Sequence, residues 1–333
     1  EYIKSLLIQL YGKDIIEKNF GDTKQPERGK LPDLEKMPLW GKKVKKEDKK
    51  YYVSTILLNN FELNLNESPY KEEKKSIFSF FGSKKNITST PPKALIIHIH
   101  GGAFLESSTF GHENYLREAS IKLNIPVIGI NYCGAPKHPY PEGLNDCYQS
   151  YMWILNHCEK ELGFKPEKII FSGDSAGGNY ILALTLLIIA INETENKNIK
   201  LPDLILGQYP CCYTGTDTLS LSKLLAYEDL VLNDDALKYF YKCYRGYYPN
   251  ELDPFLSPLT ANDNLLKKMP ITRFLIASHD PLRDDCIRMI YKMSQIPGID
   301  VKGYDFKNYS HGFMGNIDKN IHFPPRSIFY KEV

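Results

Sequence analysis

The chain has 333 residues, 42% of them hydrophobic and 25% charged, with a formal net charge of +2. That length suits one large α/β domain with an added cap, or two domains. The near-neutral balance excludes the dense basic surface that nucleic acid demands, and no nucleic-acid partner is expected. The charge is uneven: residues 1–93 carry 19 Lys/Arg against 13 Asp/Glu, and the remainder 23 against 27. A solvated basic face is the plainer reading of that bias; peripheral contact with an anionic lipid surface is the sharper one.

In chain order, residues 1–19 place Ile3, Leu6, Leu7, Leu10, Tyr11, Ile15 and Ile16 on one helical face, for packing on the domain or for a lid at a lipid surface. Residues 21–50, rich in Pro, Gly and Lys, read as a connector, so 1–50 is expected as an N-terminal helical cap and connector. The α/β domain is expected over 51–333. A first strand is expected at 51–58, followed by a surface loop at 66–93 in which Ile77 to Phe81 is oddly apolar. Strands are then expected at 94–99, 126–131, 168–172, 204–209, 271–277 and 299–306. Helices are expected near 112–124, 143–162, 176–191, 234–245 and 283–295. Apolar strands separated by helices predict a mostly parallel central sheet covered on both faces. The longest apolar run, Tyr180 to Ile191, is shorter than a bilayer span. No secretory signal pattern is visible, although a chain opening on Glu1 leaves room for a longer N-terminal region.

The seven cysteines include no Cys-x-x-Cys pair, which predicts reduced thiols rather than a disulfide framework or a zinc site. A cytoplasmic setting, peripheral to a lipid droplet or membrane, is the corresponding expectation. Asn308 lies in an Asn-x-Ser pattern three residues from His311, where a glycan would crowd the proposed site.

The chemistry centres on Gly173-Asp174-Ser175-Ala176-Gly177, a Gly-x-Ser-x-Gly between an apolar strand and an apolar helix. Such a turn projects a serine hydroxyl from a strained backbone, and flanking glycines permit the close chain approach. Serine needs a base, an orienting carboxylate and donors for an oxyanion. His100-Gly101-Gly102-Ala103 follows a strand, and its small residues can aim backbone N–H groups at one point. Gly101, Gly102 and Ala103, with Ala176, are the oxyanion candidates; the N–H groups of Gly102, Ala103 and Ala176 are the expected donors. His98-x-His100 resembles a metal pair, but no third ligand accompanies it, so no metal or organic cofactor is expected. Asp280 and His311 follow the last two strands, where open α/β sheets gather active groups. The order Ser175, Asp280, His311 is that of an α/β-hydrolase triad. Phe104, Leu105, Tyr213, Leu282 and Phe313 are candidates to line a substrate pocket.

These motifs resemble the hormone-sensitive lipase family of α/β-hydrolases over about 94–315. The matching stretches are His100 to Phe104, Gly173 to Asn179, Asp280 to Asp285 and His311 to Phe313. Asn131-Tyr132, Ala135-Pro136, Tyr140-Pro141 with Asp146, and Asp253 to Pro258 match too. The likeness is greater to the catalytic region of the eukaryotic enzyme, while its long regulatory insertion has no room in 222–253. Ala103 stands where a third glycine is usual, and Lys137 where an acid is common. The resemblance implies hydrolysis of acylglycerol or other lipid esters through an acyl-enzyme. Short-chain esterase or deacetylase activity is one alternative, and a non-catalytic binding or structural subunit another. A homodimer is compatible with the chain.

Overall fold

The computed structural model describes residues 54–58, 92–105, 108–216, 220–226, 229, 232–248, 250–315 and 324–333. The expected helix within 1–19, the connector and the loop at 66–91 lie outside the described residues. Among the described residues, seven strands form one sheet: β1 (Ser54–Leu58), β2 (Ala94–Ile99), β3 (Val127–Asn131), β4 (Lys168–Asp174), β5 (Leu204–Gln208), β6 (Ile271–His279) and β7 (Val301–Ser310). Their order is β1-β3-β2-β4-β5-β6-β7. All neighbours pair in parallel except β1, which runs antiparallel along β3.

The helices are α1 (Thr109–Leu123), α2 (Glu142–Leu162), α3 (Ala176–Thr194), α4 (Leu221–Leu225), α5 (Asp234–Arg245), α6 (Asp263–Leu266), α7 (Arg283–Ser294) and α8 (Pro324–Glu332). The short α4 and α6 and the proline-led α8 were not expected from periodicity. β2 buries five of its six residues, as a central parallel strand covered on both faces must. α3 is buried along Ala176 to Ile191 on every side. By length and composition it would suit a membrane span, yet 89% of its most apolar window is enclosed by the fold, which makes it a core helix. Ends are set locally. Asn233 caps α5 by accepting the Ala236 N–H at 2.9 Å, and Gly163 closes α2 in the left-handed region at φ 79°.

The strand order turns at β2 and β4. The chain leaves β2 toward β3, then returns past β2 to β4 and continues outward through β5, β6 and β7. Crevices at such a switch lie beyond the carboxyl ends of the strands. Ile99 pairs with Gly173, so the loop after β2 emerges beside the turn after β4. On the far side, Arg273 of β6 is buried and pairs with Asp300 at 2.8 and 3.0 Å and with Glu332 of α8 at 2.6 Å. Arg326 of α8 reaches Glu118 of α1 at 2.7 Å, so the C-terminal helix is clamped to two elements. All seven cysteines are free thiols.

Candidate active site

Ser175 sits between β4 and α3 at φ 52°, ψ −117°, a backbone conformation that costs a non-glycine residue on the order of 1–3 kcal/mol. The surroundings hold it there. Its N–H donates to the Gln208 carbonyl at 2.9 Å, and its carbonyl accepts from Asn179 and Cys211 at 3.1 and 3.0 Å. A Cβ on Gly177 would lie 2.0 Å from the Ile99 carbonyl, so no larger residue fits the start of α3. Asn179 binds the carbonyls of Cys211 and Leu256 at 2.8 and 3.0 Å and ties the helix to both loops.

The three residues that sequence order brought forward converge. His311 Nε2 is 2.9 Å from Ser175 Oγ, and His311 Nδ1 is 2.7 Å from Asp280 Oδ2. Asp280 Oδ1 accepts the Leu282 N–H at 2.8 Å, which fixes the carboxylate plane. An irregularity in the β6–β7 ladder, where His279 pairs with Ser310, sets the two strand ends level and delivers Asp280 and His311 together. Burial alone would lower the His311 pKa, but the charge and hydrogen bond of Asp280 outweigh it and raise the pKa above 6.5. Tyr209 packs edge-on against the imidazole at 4.8 Å.

The loop after β2 is strained. Gly102, Ala103 and Phe104 lie at φ 118°, 55° and 66°. Ala103 thus holds a left-handed conformation that suits the glycine usual there, at about 1–2 kcal/mol for its Cβ. Its N–H is kept. Gly101 belongs to this loop, but its N–H is engaged by Asp174 Oδ1 at 2.9 Å. Gly101 is therefore a corrected candidate: it anchors the loop rather than donating to a substrate oxygen. A Cβ on it would lie 2.5 Å from Asp174 Oδ2.

A cavity of about 260 Å³ opens at Ser175 and His311. Gly102, Ala103 and Ala176 line it, as do Phe104 and Leu282 among the five expected pocket residues. Leu105, Tyr213 and Phe313 are not in its lining. Phe313 packs on Tyr209 at 4.8 Å, behind the imidazole, and Tyr213 is buried near Lys223. The far wall comes from Leu237, Phe240 and Tyr241 of α5, with Leu232 and Cys211. Sequence reasoning placed that helix without assigning it a role, although Leu237, Tyr241 and Tyr244 repeat at helical spacing on one face.

The His98-x-His100 pair serves the core. His98 is bonded to Ser172 and Tyr115, each at 3.1 Å, and His100 to the Gly101 carbonyl at 2.7 Å. Cys133, His138 and Glu142 bring donor atoms within 4.8 Å of one another. There His138 and Glu142 already bond each other at 2.7 Å, and the Cys133 N–H is held by Asp146 at 2.9 Å. That arrangement is a clasp at the start of α2.

The sequence model of a family described as alpha/beta hydrolase fold matches residues 96–315. Hormone-sensitive lipase of Mus musculus is 35% identical over 161 residues, 48% of this chain. The chain spans about a fifth of the length of that relative and of its counterparts in Bos taurus and Homo sapiens. An esterase of Acinetobacter venetianus is 32% identical over 231 residues, covering 69% of this chain and 70% of that protein. Among solved structures, carboxyl esterase 2 of Tuber melanosporum superposes with a TM-score of 0.64 at 24% identity, over 71% of this chain and 77% of that one. A thermophilic carboxylesterase from a metagenomic library gives 0.61 at 26% identity, over 68% and 74%. The strand order, the serine turn and the 220-residue match agree, and the chain belongs to the alpha/beta hydrolase fold family, among its hormone-sensitive lipase-like members.

Proposed function

We propose that the chain is a serine hydrolase of carboxylic esters that works through Ser175, His311 and Asp280. One observation carries this reading: the unbroken line Asp280–His311–Ser175, with links of 2.7 and 2.9 Å, ends at an apolar cavity. Ser175 Oγ attacks the ester carbonyl while His311 Nε2 takes its proton. Asp280 holds the Nδ1–H tautomer and stabilises the imidazolium. N–H groups of Gly102, Ala103 and Ala176 receive the developing oxyanion, each worth about 3–4 kcal/mol of barrier. His311 then passes its proton to the leaving alkoxide, and the acyl-enzyme is hydrolysed by water that the same imidazole activates.

The cavity favours an uncharged, apolar acyl group. At about 260 Å³ it falls below the ~300–1,000 Å³ of pockets for drug-sized ligands. A short to medium acyl chain fits it best, so the short-chain carboxylesterase reading gains over long-chain acylglycerol. A p-nitrophenyl ester series from acetate to palmitate, with dispersed diacylglycerol beside it, tests this. Turnover is expected to peak at short to medium chains; a peak at palmitate or on diacylglycerol would reverse the preference. Ser175→Ala should lower kcat by at least about four orders of magnitude and abolish fluorophosphonate labelling. No labelling of the native protein would favour the binding or structural role.

A further inference from the structure

Beneath the loop after β2 lies a buried polar cluster that the triad does not use. Asp174, next to the nucleophile, is 5% exposed. Its Oδ1 accepts the Gly101 N–H, and its Oδ2 lies 3.1 Å from His112 Nε2. The other nitrogen of His112, Nδ1, is 3.1 Å from the Ser108 carbonyl. A carboxylate and a backbone carbonyl only accept, so satisfying both contacts at once calls for a proton on each ring nitrogen of His112, an imidazolium paired to a buried carboxylate.

The groups facing His112 are few and their states follow from their bonds. His98 of β2 and His100 of the adjoining loop lie 5.7 and 6.0 Å away, ring to ring. His98 closes a ring of hydrogen bonds with Ser172, Gln208 and Tyr115. That ring is satisfied by a neutral imidazole, with Gln208 donating to Ser172, Ser172 to His98, His98 to Tyr115 and Tyr115 back to Gln208. His100 donates from Nδ1 to the Gly101 carbonyl and leaves a buried Nε2 bare, which a neutral ring alone tolerates. Burial lowers the pKa of both, to about 4 for His100. Tyr115, on α1 itself, is the fourth neighbour, with its ring 6.0 Å away. One positive charge therefore sits among three histidines, against one negative charge. Burial opposes the His112 cation, but the Asp174 charge and hydrogen bond outweigh that and raise its pKa.

We propose that His112 is a positioning residue for the oxyanion loop: as a cation it holds the Asp174 carboxylate in the one orientation that anchors Gly101 and so sets the Gly102 and Ala103 N–H groups beside Ser175. The reading rests on the ester-hydrolase function. It adds a second ionisation to the rate. His311 must be neutral to act as base, so the rate rises as pH climbs through its pKa. His112 must be charged to hold the loop. Its contribution is whole at low pH and is lost as pH rises through its own raised pKa, when the Ser108 or the Asp174 bond loses its proton. An alkaline fall in kcat is the expected result.

The test uses the whole chain with a short-chain p-nitrophenyl ester. His112→Ala is expected to lower kcat about 10- to 100-fold with KM within about threefold. His112→Gln, whose amide reaches Asp174 without a charge, should restore most of kcat and erase the alkaline fall. Wild-type kcat and an unchanged pH profile in both variants would overturn the proposal while leaving the hydrolase reading intact. Inactivity of the native protein would instead sink the hydrolase reading. Nitrogen-15 histidine side-chain spectra of the native protein need neither a variant nor turnover. A doubly protonated His112 at pH 6.5, lost on His112→Gln, is expected; a neutral ring there overturns the proposal.

Discussion

At the scale of single residues, the site depends on one carboxylate more than on its distance from substrate suggests. Asp280 neither touches the nucleophile nor lines the cavity itself, yet its charge keeps the His311 pKa above the ordinary 6.5. Asp280→Asn removes that charge and the tautomer control together. The plateau of kcat should fall about 10⁴-fold, and the acidic limb of the kcat/KM profile should move to lower pH. A pH–rate series on a short-chain ester checks both. The three converging side chains were legible in the sequence because their motifs bear on strand ends, where position suggests role. His112 was not legible. It stands in an unremarkable first turn of a helix, and only the folded register of β4 against β2 brings Asp174 over it.

Among the elements, strands and long helices were foreseen within a few residues because each carries one clear period or one unbroken apolar run. α1 begins at Thr109, three residues before expectation. The Thr109 N–H is held by the Asn131 side chain at 2.7 Å, a partner from another strand that no local pattern announces. The pocket wall escaped for a related reason. Amphipathicity shows that a helix has an inner face, but not whether that face meets core or cavity. Leu237, Phe240 and Tyr241 meet the cavity. Phe240→Ala should enlarge it and shift the optimum of a p-nitrophenyl ester series two or more carbons longer. Leu237→Phe should shift it shorter. Neither change is expected to move the acidic limb set by His311, since neither residue touches the triad.

For the whole molecule, the sheet and its buried helix enclose the apolar core, and ion pairs fasten outer pieces to it. Arg273 is 6% exposed, and its guanidinium lies between Asp300 and Glu332. Glu332→Ala leaves the buried Arg273 bonded to Asp300 but strips one charged partner, at a cost of about 1–3 kcal/mol. A urea midpoint at pH 7.5 should fall accordingly. The Asp300 pKa is lowered by the Arg273 hydrogen bond, and the Glu332 pKa by its Tyr304 bond and then by Arg273. Both stabilise the fold above the ordinary carboxylate range, and that stability drains away as acid protonates them. The Glu332→Ala penalty should therefore shrink toward pH 4.

The cavity has two kinds of border. One comes from a turn fastened to a helix sealed inside the protein, where almost any added atom collides. The other comes from a single stripe on a twelve-residue rod at the rim. On the proposed ester-hydrolase reading, acyl preference and the bond-breaking chemistry thus rest on separate parts of the polymer. Exchanging two or three bulky groups on the rod would then retune the first and leave the second untouched.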